Sequence, residues 1–440
     1  ISLWKDEPVQ AVFRSRSGQL YYEDLRELSV ADREARVEAY TGEDKAKGFR
    51  LDADALIRVS ILQTGDEAYH FIWSFHHILM DGWCLSFMTQ EVFGTYLALR
   101  AGQEPMLPTV TPFSRFIEWL ERQDREAARQ YWSGYLADYE QQVMLPQQKA
   151  QSTSVRQKEY AAGELECDLQ PELAAQIGRV AKQHQVTINT LIQTVWGILL
   201  QKYNNSTDVV FGSVVSGRPS NIPGVEQMIG LFINTIPVRI QTVTGEGFAT
   251  LMRRVQEQAL ASNTYDAFPL YEIQSLTDQK QDLINHIMVF ENYPVEQQVE
   301  QLGGNGEDAF TISNVVATEQ TNYDLNVVVM PGEAIRIRFM YNALSFDQAG
   351  IERLHGHFAH LLEQIALNPQ ARVDELELIT AVEQSQIREV FNDTAAAYPR
   401  HQSIHGLFEE QAARVPEKTA AVYGQQSISY RELNESANRL

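Results

Sequence analysis

Between residues 69 and 99 the hydrophobic pattern changes its period. In YHFIWSF, residues 69–75, aromatic side chains fall at every second position (Tyr69, Phe71, Trp73, Phe75) with β-branched Ile72 among them, which predicts a strand. From 83 to 99, WCLSFMTQEVFGTYLAL repeats apolar residues three and four apart, as an amphipathic helix does. His76 and His77 therefore close a strand, and Asp81-Gly82 stands directly ahead of a helix. The stretch His-His-x-x-x-Asp-Gly occupies a strand-to-helix junction, a place where rigid scaffolds commonly hold functional side chains.

The same reading extends along the chain. Residues 1–13 predict a hairpin around an Asp6-Glu7-Pro8 turn, 29–44 an exposed helix capped by Ser29, and 48–62 a run that alternates into a strand. Residues 105–112 are a connector. After it, 112–140 form a helical run that buries Phe113, Phe116, Ile117 and Leu120 on one face. Residues 144–158, polar and poor in apolar positions, predict a linker between two lobes. A second unit follows: a strand over 159–169, a helix from Pro171, and a helix over 187–203 with Ile188, Leu191, Ile192, Val195 and Leu199 on one face. A strand over 208–219 comes next. Residues 315–342 alternate as antiparallel strands turning at Pro331-Gly332, and 346–369 predict a closing helix. On that helix His355 and His357 diverge by about 200 degrees, so with His360 they read as solvated or boundary histidines.

Composition narrows the function. A chain of 440 residues exceeds one ordinary domain, and 44% hydrophobic residues suffice for a large core. A net charge of -22 argues against binding nucleic acid or an anionic membrane through bulk charge. Two cysteines, Cys84 and Cys167, are too few for a disulfide framework and fit a reducing, cytoplasmic setting. No apolar run reaches the 18 residues that a membrane span needs. The opening ISLWKDEPVQ predicts a piece of something longer.

Residue types and spacing leave three readings of the junction open. His76 and His77 are core residues while Asp81 caps the helix; or they bind a metal; or they perform acyl transfer, with one histidine at the reacting centre and Asp81 shaping the loop that presents it. Adjacent strand side chains point to opposite faces, and no further ligand cluster lies near, so a metal site is disfavoured and no metal is expected. A second anchor is SGRP at 216–219 with MIGLFINTIPVRI at 228–240, where Gly217 and Pro219 mark a turn around Arg218. Phe232, Thr235 and Ile236 read as strand core. Arg218 or Arg239 is a partner for Asp81, with Arg218 preferred.

HHILMDGW resembles the HHxxxDG signature of the condensation domains of non-ribosomal peptide synthetases, relatives of chloramphenicol and CoA-dependent acyltransferases. IGLFINTIPVR is similar to that family's (I/V)GxFxNTxxxR segment, and Trp119 with Tyr131-Trp132, residues 263–276 and the TNYDL stretch at 321–325 follow in the family's order. Phe113 stands where a Tyr is usual. The SxAQxR and RHxxLRT segments that normally precede the histidines are absent, so the first lobe is expected to lack its start.

The resemblance implies an α/β (α+β) fold of two chloramphenicol-acetyltransferase-like lobes, a V-shaped pseudo-dimer with a tunnel between them. The boundaries expected are 1–148 for the first lobe, 149–385 for the second, 386–403 for a linker and 404–440 for the start of an adenylation domain, whose first motif ISYREL at 428–433 resembles. It implies peptide-bond formation between a donor aminoacyl or peptidyl thioester and the amine of an acceptor aminoacyl thioester. Both are presented on 4'-phosphopantetheine by an upstream and a downstream carrier domain, with no cofactor bound directly. His77 would take or position the amine proton and His76 would orient it. Asp81 would shape the loop, and Gly82 would let backbone approach the thioester. Arg218, Asn322 and Tyr323 would be substrate-side residues. Asp81-Gly82-Trp83-Cys84 departs from the DGxSW of epimerisation domains, and HHILMDGWC together with PLYEIQ at 269–274 resembles the subtype that takes an L-configured donor. An epimerisation-type or non-catalytic carrier-docking member, or a CoA-dependent acyltransferase, is the alternative.

Overall fold

In the computed structural model, which describes all residues except 1, 5–6, 11–12, 14–17, 148–159, 292–309 and 317, the chain opens with two short antiparallel strands. These are β1 (Ser2–Trp4) and β2 (Glu7–Val9). Trp4 pairs with Glu7, so Glu7 and Pro8 belong to the second strand and not to the turn expected there. The first lobe is built on a three-stranded sheet. β3 (Gln19–Asp24) runs parallel to β4 (Ile57–Gln63), which pairs antiparallel with β5 (Tyr69–Phe75). Helix α1 (Val30–Lys47) starts where expected, with Ser29 Oγ accepting the Asp32 N–H at 3.3 Å. Buried Asp44 on this helix pairs with Arg58 of β4 at 2.7 Å and accepts from Ser74 of β5, which pins helix to sheet.

Helix α2 (Gly82–Arg100) follows the histidine strand. The helical run after the Pro105–Pro112 connector is broken into α3 (Ser114–Glu121) and α4 (Arg125–Tyr135). Asp124 causes the break, because its carboxylate accepts from the N–H groups of Glu126 and Ala127 and starts a new helix. The predicted linker is also shorter at its front than expected. Leu145 is buried in the second lobe's core, and the Met144 N–H donates to Asn204 Oδ1 at 2.7 Å; most of the rest, 148–158, lies outside the described residues.

The second lobe is a six-stranded mixed sheet of β6 (Ala162–Leu169), β7 (Asp208–Val215), β8 (Asn234–Gln241), β9 (Ile287–Phe290), β10 (Leu325–Met330) and β11 (Ile335–Asn342). Its order is β6-β11-β10-β9-β7-β8, parallel where β9 meets β10 and β7 and antiparallel elsewhere. The period of two divides β7: Val209 and Phe211 enter the main core on one face, and Val210 packs with Trp132, Phe268 and Ile273 on the other. Helices α5 (Pro171–Gln183), α6 (Ile188–Asn204), α7 (Phe248–Ser262) and Gln348–Leu367 cover the first face; α4 and α8 (Leu270–Ser275) cover the second.

Helix α6 departs from the one-faced burial its sequence suggests. Every residue from Thr190 to Gln201 is buried, because other helices and the sheet enclose it from all sides. Its polar side chains are paired inside: Gln193 donates to Ser213 Oγ at 2.8 Å, Gln201 to the carbonyls of Thr207 and Ile240, and Trp196 Nε1 to His286 Nε2 at 3.0 Å. His357 is a second departure. It is buried, not solvated, with Nδ1 2.7 Å from the Tyr203 hydroxyl.

The described residues divide into two compact units, Ile1–Leu378 and Ile379–Leu440. In the smaller one, helix Ile404–Arg414 precedes a hairpin of β12 (Thr419–Tyr423) and β13 (Gln426–Ser429) and then helix Tyr430–Ala437. Ser429 and Glu432 close a capping box, so ISYREL is the step from strand to helix. Among the described residues no helix is long and apolar enough to cross a membrane.

Candidate active site

Strand β5 ends at Phe75, and the His76 N–H donates to the Leu56 carbonyl at 2.9 Å, which holds the chain beside β4 as it leaves the sheet. His76 then caps a single 3-10 turn, His77–Leu79: its Nδ1 accepts the Ile78 N–H at 3.1 Å, and its ring stands edge-on to Phe49. One ring nitrogen of His76 is thus committed to the turn. The turn leaves His77 with 38% of its side chain exposed.

Asp81 occupies the N-cap position of α2 but makes no capping bond, and it is fully buried. Its carboxylate faces the second lobe. Oδ1 accepts from Arg218 Nη2 at 3.1 Å and from the Cys84 thiol at 3.3 Å; Oδ2 accepts the Phe232 N–H at 3.1 Å. Arg218 Nη1 donates to the carbonyls of Val225 and Met228, and the guanidinium lies 4.0 Å over the Phe232 ring. Buried charges are tolerated when paired and hydrogen-bonded in this way. Of the two candidate arginines, Arg218 meets Asp81, while Arg239 pairs with Asp208 at 2.6 Å.

Gly217 makes the approach possible. It sits at φ 59°, and a Cβ there would lie 1.9 Å from the Phe232 carbonyl oxygen. Phe232 itself is core, packed on Phe113 and Phe116 of the neighbouring segment. Cys84 is an unforeseen member of the clamp, and burial pushes its thiol pKa up, so it acts as a neutral donor.

At the exposed end of the turn, His77 Nε2 lies 3.1 Å from Glu319 Oε1 of the second lobe. The hydrogen bond that the ring donates to Glu319 raises the His77 pKa above its ordinary value; partial burial opposes this, and Asp81 adds a smaller pull in the same direction as Glu319. Glu319 was not singled out by sequence pattern: a single acidic residue in a polar stretch carries no period. The two residues expected from that stretch behave differently. Asn322 is exposed, and Tyr323 is half-buried against the α4 side of the core, with its N–H donating to Thr321 Oγ1 at 3.1 Å. Gly82 opens α2, next to Asp81. A cleft of about 420 Å³ between α2 and residues 105–110, lined by Phe87, Glu91, Met106, Leu107 and Gln227 among others, does not include His77.

The model of the condensation domain matches residues 1–388. The chain belongs to the condensation-domain family. Over 437 residues this condensation domain is 49% identical to a mycosubtilin synthase polypeptide of Bacillus subtilis, covering 99% of the chain and 17% of that protein. It is 42% identical over 434 residues to gramicidin S synthase 2 of Brevibacillus brevis, covering 99% of the chain and 10% of that protein. The chain thus spans less than a fifth of these relatives. Among solved structures, a holo four-domain nonribosomal peptide synthetase bound to AMP and glycine aligns with TM-score 0.72 at 17% identity, over 95% of this chain and 32% of that one. The X-domain from teicoplanin biosynthesis aligns with TM-score 0.69 at 19% identity, over 84% and 83%. At these identities the likeness establishes the fold, and the condensation domain has the two-lobed α/β architecture that its motifs implied.

Proposed function

We propose that this condensation domain forms a peptide bond between a donor aminoacyl or peptidyl thioester and the α-amino group of an acceptor aminoacyl thioester, with His77 at the reacting centre. The observation that carries this reading is the contrast within one seven-residue motif: Asp81 is sealed into the clamp with Arg218, whereas His77 is held at the edge with its ring accessible. A free α-amino group titrates at about 7.7–8.0, so a useful fraction is already neutral near pH 7. The amine nitrogen attacks the thioester carbon, the C–N bond forms, the C–S bond breaks, and the thiolate leaves. His77 takes a proton from nitrogen and returns it to sulfur, an effect typically worth about 10² to 10⁴-fold. His76 shapes the turn that carries it. Gly82 lets the donor thioester approach the start of α2, and Arg218 keeps the loop in register through Asp81. Asn322 and Tyr323 belong to the substrate side.

The substrates are delivered on the phosphopantetheine arms of an upstream donor and a downstream acceptor carrier domain. The strand-to-helix step at ISYREL supports the reading that residues 404–440 begin an adenylation domain, which gives the order of an elongation module. The Asp81-Gly82-Trp83-Cys84 sequence supports an L-configured donor. The deciding experiment is dipeptide formation from two loaded carrier domains with wild type and His77→Ala. Loss of product in a folded variant that still binds both carriers is expected; unchanged product overturns the role of His77.

A further inference from the structure

Phe310 and Glu319 of the second lobe each reach across to the first. Phe310 packs against Phe93 and Tyr96 of α2, with ring centroids 5.1 and 5.8 Å apart, and Glu319 meets His77 Nε2 at 3.1 Å. The aromatic contact seats Phe310 on the same helix that begins beside Asp81. Glu319 is therefore a carboxylate delivered to the motif histidine from the opposite lobe. The other acidic group acting on His77, Asp81, is spent on Arg218, the Phe232 N–H and the Cys84 thiol, and the neighbouring imidazole, His76, is tied to the Ile78 N–H.

Building on the reaction proposed above, we infer that Glu319 is a positioning residue for His77: it accepts the Nε2–H, which leaves Nδ1 as the nitrogen that takes the amine proton, and supplies the negative charge that stabilises the imidazolium so formed. When the amine attacks, the nitrogen becomes cationic as the C–N bond forms. Its proton passes to His77, the positive charge moves to the ring, and Glu319 stands against that charge until the proton reaches the departing sulfur. A carboxylate acting through a second group in this way strengthens a base, and proton-transfer efficiency follows base strength. The exposure of the pair, 38% for His77 and 56% for Glu319, keeps the ring open to solvent while the carboxylate stays on Nε2.

The test is the pH dependence of dipeptide formation from loaded carrier domains, with wild type, Glu319→Gln, Glu319→Asp and His77→Ala, alongside the His77 ring titration followed by NMR. The acidic limb of the rate profile, where His77 must be neutral to act, is expected to move to lower pH by half a unit or more in Glu319→Gln. The plateau rate should fall several-fold, with the KM for the donor unchanged and the His77 titration shifted the same way. Glu319→Asp should recover part of both. A Glu319→Gln profile and titration that superimpose on wild type, while His77→Ala has lost product, overturn the positioning role alone. Wild-type rates in His77→Ala overturn the reaction-centre reading, and the positioning role with it.

Discussion

Two acid–base pairs join the lobes within a few residues of each other, and they differ in almost every physical respect. Asp81 and Arg218 are 0% and 5% exposed, each makes further hydrogen bonds, and an aromatic ring covers the guanidinium. His77 and Glu319 are 38% and 56% exposed and join through one pair of atoms. The desolvated pair cannot lose a partner without stranding a charge, so it is suited to holding the junction. The wet pair leaves the ring open to solvent, which is what the proposed role of His77 requires. A motif of seven residues thus divides into a buried half and an exposed half, and the proposal assigns the chemistry to the exposed one.

Removing half of the buried pair should have the largest effect on stability. Asp81→Ala leaves Arg218 unpaired in the interior, and breaking a buried pair costs about 3–5 kcal/mol. A chemical denaturation series should show this loss, and an unchanged midpoint would mean that water enters the site. His77→Ala should do the opposite, with dipeptide formation falling by about 10² to 10⁴-fold while the melting transition stays close to wild type. Next comes Gly217→Ala, whose Cβ would collide with the Phe232 carbonyl at a positive φ. A residue forced into such backbone costs on the order of 1–3 kcal/mol, and because Arg218 is adjacent, activity should decline together with stability.

The smallest effect is expected for Glu319→Ala on stability, under about 1 kcal/mol as for exposed pairs generally. Its sign is set by the raised His77 pKa. The pair contributes below the ordinary imidazole value of about 6.5, and the contribution vanishes as pH rises through the higher folded value. Denaturation of wild type and Glu319→Ala at pH 6 and pH 9 should therefore differ only at pH 6. A difference that persists at pH 9 would show that Glu319 packs rather than pairs.

Much of the fold was legible because short-range pattern and burial agree. The aromatic alternation of 69–75 is β5 to the residue, the Ser29 cap begins α1, and the Pro331-Gly332 turn joins two antiparallel strands whose register places Val327 opposite Phe339. Failures occurred where a partner distant in sequence overrode local pattern. The one-faced stripe of α6 became all-round burial because the lobe closes over it, and Gln193 and Gln201 found partners on β7 and β8. His357 was drawn inside by Tyr203, 154 positions away.

The candidate site divides in the same way. The sequence alone determined that two histidines end a strand, that Asp81 and Gly82 start a helix, and that a Gly-Arg turn lies elsewhere in the chain, since each follows from the period of nearby residues or from the conformational freedom of a single glycine. Only the tertiary structure decided that Arg218 rather than Arg239 clamps Asp81, that Cys84 and the Phe232 N–H complete the clamp, and that Glu319 reaches His77. These contacts join residues more than a hundred positions apart, apart from Cys84, which local pattern could reach but residue type did not mark. Which charges meet across two lobes is set by how the sheets pack, and no periodicity along one chain records that.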